Sequence, residues 1–139
     1  MRWVLVDEVC GNGDGNDDVQ PLYAPMFRDG AVRGNQLFTI DATHLWSLDV
    51  SNANAITRSA LLTGVGEPLA MATWHDELVL ASGREGLVLV NAANPAAPER
   101  SRSLELDGIA FDVEVAGDDA FVSLGTGGLA DVDLAASSP

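Results

Sequence analysis

The chain has 139 residues, of which 47% are hydrophobic, and its formal net charge is −14 at pH 7. This length suits one domain with a real core, and no stretch approaches the roughly 18 to 20 apolar residues that a membrane helix requires. The acidity repels nucleic acid phosphates and anionic lipid surfaces, so we expect no nucleic acid partner and no membrane insertion. The single cysteine excludes an internal disulfide and a cysteine-built zinc site.

The N-terminal segment predicts two short strands separated by a loop rich in glycine, asparagine and aspartate. The strands lie at about 3–7 and 17–23, and the loop occupies 10–18 with the sequence CGNGDGNDD. The first apolar run is too short for a signal peptide. Alternating oxygen-bearing side chains in the loop suit Ca²⁺, which takes six to eight oxygen ligands. The candidate calcium ligands are Asn12, Asp14, Asn16 and Asp18.

The spacing of this loop does not fit an EF-hand. Counted from Asn12, the sixth and twelfth positions are Asp17 and Tyr23, where the motif requires glycine and an acid. Glycine, asparagine and aspartate are also common turn residues. We therefore expect a solvated turn, keep weak calcium binding as the alternative, and expect no other cofactor.

A repeat of 42 residues organises the rest of the chain. A fixed period of this length is the signature of a repeat architecture. The segments that align without gaps are Leu45–Asp49, Leu87–Asn91 and Leu129–Asp133, and more faintly Trp3–Asp7. Other aligned columns hold Phe38 with Leu80 and Val122, Arg58 with Arg100, and Gly66 with Gly108. We predict that Leu45, Leu87 and Leu129 occupy equivalent buried positions.

Each repeat predicts four short strands with turn signals between them. In the best-preserved copy these strands span about 69–74, 77–82, 87–91 and 99–106. Helix signals are missing, because the chain has no long apolar stripes of period 3.6 and no capping boxes. Four strands per roughly 40 residues, stacked face to face, describe the blade of a β-propeller. We predict an all-β fold of four-stranded antiparallel blades.

The repeat resembles the LVIVD repeat of bacterial and archaeal β-propellers. The resemblance covers about 30–135 and is carried by the strand Leu87–Asn91, the turn at Asn94-Pro95 and the hairpin at 115–122. It implies a propeller fold and an extracellular or cell-surface location. It implies no catalytic residues, because the repeat motif is structural. Two copies depart from the Asn-Pro turn and have Asn52-Ala53 and Ala136-Ser137 instead.

The strand count predicts a partial propeller of about three blades. The units are a partial first blade at 1–23, full blades at 24–64 and 65–106, and an incomplete last blade at 107–139. Propellers close with about four to eight blades. We therefore prefer a fragment of a longer propeller. The alternatives are self-association into a ring through the unfinished blades, or an open stack with exposed apolar ends.

Residues that recur in every repeat are interpreted as structural. Asp7, Asp49, Asn91 and Asp133 end the third strand of each copy, where a short polar side chain can bond the backbone of the next turn. The sequence GTGG at 125–128 aligns with second turns. A phosphate loop should instead open a helix, so we predict a hairpin turn here.

The other reactive residues are expected to lie apart. His44 belongs to a second turn and His75 to a first turn, at opposite ends of a blade, so we expect no shared metal. A nucleophilic cysteine needs a nearby base, and Cys10 belongs to a third turn two blades before His75, so we expect no catalytic role for it. The tryptophans fall on predicted strands, where we expect core packing, and they are Trp3, Trp46 and Trp74.

Propellers usually present ligands at the end that carries the second turns and the links between blades. The candidate ligand residues at this rim are His44, Glu67, Arg84, Glu85 and Asp107. Their spacing matches no reaction that we can name, so a solvated rim is the alternative.

Two functions stay open at this stage. The chain is either a non-catalytic scaffold for a protein or surface ligand, or part of a propeller enzyme whose funnel site lies largely in other blades. The predicted innermost strands offer only Asp112 and Glu114 as polar funnel residues. The sequence therefore favours the scaffold and predicts no enzyme activity.

Overall fold

The structure, a computed structural model, describes residues 27–52 and 54–136. Within these residues the chain forms strands and turns and no α-helix, which confirms the all-β prediction. The strands are β1 (Asp29–Arg33), β2 (Gln36–Ile40), β3 (Leu45–Asp49), β4 (Thr57–Leu62), β5 (Ala70–Trp74), β6 (Glu77–Ala81), β7 (Leu87–Asn91), β8 (Glu99–Leu104), β9 (Asp112–Ala116), β10 (Asp119–Ser123) and β11 (Leu129–Asp133).

The strands form three antiparallel sheets in which neighbours along the chain pair with each other. The first sheet is ordered β1-β2-β3-β4, the second β5-β6-β7-β8 and the third β9-β10-β11. The first strands of successive sheets lie next to one another, so the sheets fan out from a shared inner edge. The predicted four-stranded unit is confirmed in two sheets, while the third has three strands among the described residues.

Two-residue turns join the first and second strands of each sheet. The first turn residue has a positive φ in all three copies, at 56° for Gly34, 55° for His75 and 62° for Gly117. Among the primed hairpin turns, type II′ has a positive φ at the first central residue alone, and these turns match the right-handed twist of the strands. Glycine adopts it without steric cost, whereas His75 holds it against the preference of an L side chain.

The core lies between the sheets and forms two separate layers. The layer between the first and second sheets buries Leu45, Leu80 and Val88. The layer between the second and third sheets buries Leu87 and Val122 in the same way. The second sheet is therefore covered on both faces, which explains why its two middle strands are apolar at consecutive positions.

The repeat is confirmed, with one correction to its register. From β3 onward, each strand recurs 42 residues later in the next sheet, but β1 and β2 precede β5 and β6 by 41 residues. The turn between β2 and β3 is one residue shorter than its counterparts. Phe38 therefore takes the place of Val79 and not of Leu80, and the gapless column of Phe38 with Leu80 and Val122 was wrong for Phe38.

The predicted burial is correct for two of the three equivalent leucines. Leu45 and Leu87 are 0% exposed, whereas Leu129 is 69% exposed. Each of the buried leucines faces the next sheet along the chain. Leu129 points away from the second sheet, and no described sheet covers that side. The prediction that Leu129 is buried was therefore wrong.

Candidate ligand-binding rim

The links between sheets and the second turns pack together at one end of the structure, which forms the rim. The backbone of Gly83 exchanges hydrogen bonds of 3.1 and 2.9 Å with Ala110 in the following link. A side chain at Gly83 would stand 3.7 Å from the carbonyl oxygen of Glu67. The rim is thus continuous across the second sheet.

Asp41 organises the short second turn of the first sheet. Its Oδ1 accepts hydrogen bonds from the backbone N–H groups of Thr43 at 2.8 Å and His44 at 2.7 Å. Its Oδ2 accepts the indole N–H of Trp46 at 2.7 Å. This second turn is one residue shorter than its counterparts, and the Asp41 carboxylate accepts its backbone N–H groups directly.

The electrostatic state of Asp41 follows from these contacts. Burial by itself would raise its pKa, but the hydrogen bonds from Thr43, Trp46 and His44 outweigh burial, so that the pKa is lowered. The His44 Nδ1 lies 3.3 Å from Oδ1 of Asp41. Asp41 is therefore ionised at neutral pH and committed to the turn.

A shallow depression of about 300 Å³ lies beside this turn and is lined by Arg28, Asp41, Ala42, Thr43 and His44. The Arg28 guanidinium is anchored by a 3.4 Å hydrogen bond to the carbonyl oxygen of Pro68. The His44 Nδ1 contacts the hydroxyl of Thr43 at 2.9 Å. The Arg28 guanidinium, the Thr43 hydroxyl and the His44 imidazole line the depression together with the Asp41 carboxylate, and this mixed set suits a hydroxyl-bearing group.

The predicted rim residues divide into separate groups. His44 belongs to the Asp41 turn, whereas Glu85 pairs with Arg100 at 3.4 Å in the second sheet. Arg100 also donates to the carbonyl oxygen of Gly64 at 2.6 Å, so this pair ties the link to the sheet. Glu67, Arg84 and Asp107 are exposed. Whether they bind a ligand stays a prediction.

The third turns confirm the structural interpretation of the recurring polar residue. The side-chain oxygens of Asp49, Asn91 and Asp133 each accept the backbone N–H two residues later, at 2.9, 3.0 and 3.0 Å. Hydrogen bonds from the side chain and the backbone of Ser51 lower the pKa of Asp49. The GTGG segment likewise joins β10 to β11 through a short 3-10 turn at Gly125–Gly127, as the sequence predicts.

The histidines have different partners. His75 Nε2 lies 3.6 Å from Asp118, while His44 contacts Asp41. In the described part of the chain, no group of three histidine, cysteine or acidic side chains could hold a metal ion. Cys10, Trp3, Asp7 and the loop with Asn12, Asp14, Asn16 and Asp18 lie outside the described residues.

Trp46 and Trp74 pack against neighbouring side chains, and the indole N–H of each donates a hydrogen bond. Trp46 is 7% exposed and stacks edge-on against Phe27 at 5.6 Å, with Arg58 over its ring at 5.7 Å. Trp74 donates its indole N–H to Asp118 of the next sheet at 3.0 Å. The predicted packing role is therefore supported for both residues.

Sequence reasoning missed Arg28 and Asp41. Arg28 precedes β1, and its backbone N–H bonds to the carbonyl oxygen of Ile40 at 2.8 Å, which brings it to the rim beside Asp41. An available signal was the Asp41-Ala42-Thr43-His44 sequence, because an aspartate bonds the backbone two residues on in an Asx turn. Within the described residues no helix is long and apolar enough to span a membrane.

Comparison with known proteins supports the fold. No protein-family profile matches the sequence, and no curated protein matches it. The chain is similar to the solved structure of a europium-containing methanol dehydrogenase, with a TM-score of 0.62 and 11% identity over 78% of this chain and 23% of that one. It also matches the N-terminal domain of Nup159, with a TM-score of 0.49 and 13% identity over 73% and 25% of the two chains.

The fold is therefore that of β-propeller blades. The fanned antiparallel sheets and the first of these likenesses agree on it. The chain spans about a quarter of the length of each of these neighbours. At such low identity the likeness concerns architecture alone.

Proposed function

We propose that this chain is a non-catalytic β-propeller segment that acts as a binding scaffold for a polypeptide or surface ligand. The resemblance to LVIVD repeats supports a place at the cell surface, within a longer propeller. The proposal includes no cofactor and no enzymatic activity. The depression beside Asp41 would hold a hydroxyl group of the ligand through Arg28 and His44.

The observation that carries the proposal is how the charged rim residues are used. Asp41 holds its turn through three hydrogen bonds, and Glu85 with Arg100 fixes a link between sheets. A general base requires a pKa near the operating pH, whereas the pKa of Asp41 is lowered. Side chains committed in this way favour a fixed recognition surface.

Panning of a phage-displayed random peptide library on the purified chain, followed by calorimetric titration of the enriched peptides, tests this proposal. We expect saturable one-to-one binding with Kd values of about 1–100 μM, typical of weak recognition. The variants Arg28→Ala and His44→Ala identify peptides bound at the rim, and His75→Ala, at the other end of the sheets, is the matched control. Failure of every enriched peptide to bind in solution would contradict the scaffold.

A further inference from the structure

The depression beside the Asp41 turn contains a guanidinium that uses few of its hydrogen-bond donors. Arginine carries five N–H donors. Among the described residues, the Arg28 guanidinium makes a single hydrogen bond, which is the 3.4 Å contact with the carbonyl oxygen of Pro68. Arg28 is exposed and lines the depression. Its remaining donors are therefore available to a ligand there.

The His44 imidazole supplies an acceptor in the same depression. Its Nδ1 lies 2.9 Å from the Thr43 hydroxyl and 3.3 Å from Oδ1 of Asp41. An ionised carboxylate only accepts hydrogen bonds, so we assign the proton of the neutral imidazole to Nδ1. The other ring nitrogen, Nε2, is then an acceptor. The half-buried ring holds this acceptor at the depression.

Two further groups of the depression add hydrogen-bonding capacity. The Thr43 hydroxyl can donate and accept, and this residue is exposed. Oδ2 of Asp41 accepts the indole N–H of Trp46 at 2.7 Å, which leaves that oxygen one more lone pair. The depression thus combines donors, acceptors and a hydroxyl beside the exposed methyl group of Ala42.

This combination of groups selects among ligand chemistries. A carboxylate or phosphate offers acceptors and would face the Asp41 charge, whereas an ammonium offers donors and would face the Arg28 charge. A single serine or threonine hydroxyl would use only one donor and one acceptor of the set. Neighbouring hydroxyls on a sugar ring donate and accept at adjacent positions, so they match the whole set. The ligand chemistry that fits is therefore a neutral vicinal diol.

The size and rigidity of the depression agree with a single sugar unit. Its volume of about 300 Å³ lies at the lower end of small-molecule sites, which span about 300–1,000 Å³. Asp41 fixes the turn through its hydrogen bonds with Thr43 and His44, and such preorganisation lowers the entropic cost of binding. The formal net charge of −14 also disfavours anionic glycans.

We propose that this depression binds one neutral sugar unit of a glycan through two neighbouring ring hydroxyls. Arg28 donates to one hydroxyl, and the Thr43 hydroxyl contacts the other. Nε2 of His44 and Oδ2 of Asp41 accept the protons of the two hydroxyls. The inference rests on the proposed scaffold function and names the chemistry of its surface ligand.

Titration with simple glycosides, followed by heteronuclear NMR, tests the inference. The probes are the methyl pyranosides of glucose, mannose and galactose, which differ in configuration at the ring carbons. We expect at least one of them to shift the backbone amides of Thr43 and His44 saturably, with a Kd of about 1–10 mM.

Variants of the lining residues locate the binding. We expect Arg28→Gln and Thr43→Val each to weaken it by about threefold to tenfold, because each removes a hydrogen bond to the ligand. Arg33→Gln is the matched control. It removes the same charge and an equal 3.4 Å hydrogen bond to a backbone carbonyl, that of Glu77, but at the other end of β1. Its affinity for the glycoside should stay within about twofold of the parent.

Two control compounds separate recognition of a diol from other causes. Tetrahydropyranylmethanol keeps the ring and one hydroxyl, and we expect no saturable shift from it. N-acetylthreonine methylamide presents the hydroxyl of a polypeptide, and binding by it as tight as that of the best glycoside would overturn the inference while the scaffold function stands.

Three other results would also overturn the inference. They are the absence of saturable shifts with all three glycosides, equal binding of tetrahydropyranylmethanol, and equal affinity of the parent and either Arg28→Gln or Thr43→Val. The scaffold function stands in each case if library peptides bind. If those peptides fail as well, both proposals fail.

Discussion

Replacing the repeat-equivalent leucines by alanine should give very different losses of stability. Leu87 is 0% exposed and faces the third sheet, whereas Leu129 is 69% exposed. Leu87→Ala removes three carbons, worth about 2.4 kcal/mol of transfer free energy at about 0.8 each. The cavity left behind raises the expected cost to about 3 kcal/mol. Leu129→Ala opens no cavity and should stay within about 0.5 kcal/mol of the parent.

Urea unfolding followed by tryptophan fluorescence measures this difference. With a slope of about 2 kcal/mol per molar urea, the Leu87→Ala midpoint should fall by about 1.5 M. The Leu129→Ala midpoint should move by no more than about 0.25 M on the same slope. Leu45→Ala, also at a fully buried position, should resemble Leu87→Ala. Equal losses at Leu87 and Leu129 would refute the reasoning, since they would mean that the outward face of the third sheet is covered.

Three further predictions concern turns and charges. Gly86→Ala should cost about 3 kcal/mol because its side chain would meet the carbonyl of Leu104, and Gly128→Ala only about 1 kcal/mol for its positive φ; equal melting temperatures would contradict this. Asp41→Asn should cost about 1–2 kcal/mol at pH 7. Because the native pKa of Asp41 is lowered, this difference should be present above about pH 4 and vanish as pH falls through the native pKa; a difference that stays constant down to pH 2 would contradict it. Asp131→Asn should lower the pKa of Asp119 in a carboxyl-carbon NMR titration, and an unchanged value would argue against crowding.

The strands could be predicted because their local patterns agree with their tertiary surroundings. Leu87–Asn91 is apolar at consecutive positions and lies in the sheet that is covered on both faces. The polar residue at the end of each third strand bonds the backbone two residues on, which is a local interaction that the sequence contains in full. Periodicity and turn chemistry therefore suffice for these elements.

The register of β2 and the exposure of Leu129 could not be predicted in the same way. The turn between β2 and β3 is one residue shorter and is held by side-chain hydrogen bonds of Asp41. The later strands align without gaps, so the sequence alone does not show this difference. The column of Leu45, Leu87 and Leu129 shows that the repeat continues, but it does not show how many sheets follow. The burial of Leu129 depends on whether a further sheet packs against it, and the repeat pattern does not contain that information.

The rim was predicted only in part for a related reason. His44 was found because second turns could be located from the repeat, whereas Arg28 reaches the same depression from the start of β1. The pairing that brings the two together joins residues at opposite ends of a hairpin. The sequence predicts the two strands of that hairpin, but it does not show that Arg28 and His44 meet at its open end.

Amide hydrogen exchange across the third strands, measured residue by residue by NMR, tests the central claim most directly. That claim is that the sheets are equivalent blades, of which the third has three strands among the described residues. We expect every amide of β3 and β7 to exchange slowly, because both strands pair on both sides. In β11, the amides that bond to β10 should be slow and the alternate, outward-facing amides fast. Uniform protection of β11, or outward-facing amides in β3 and β7 that exchange as fast as those of β11, would contradict the account.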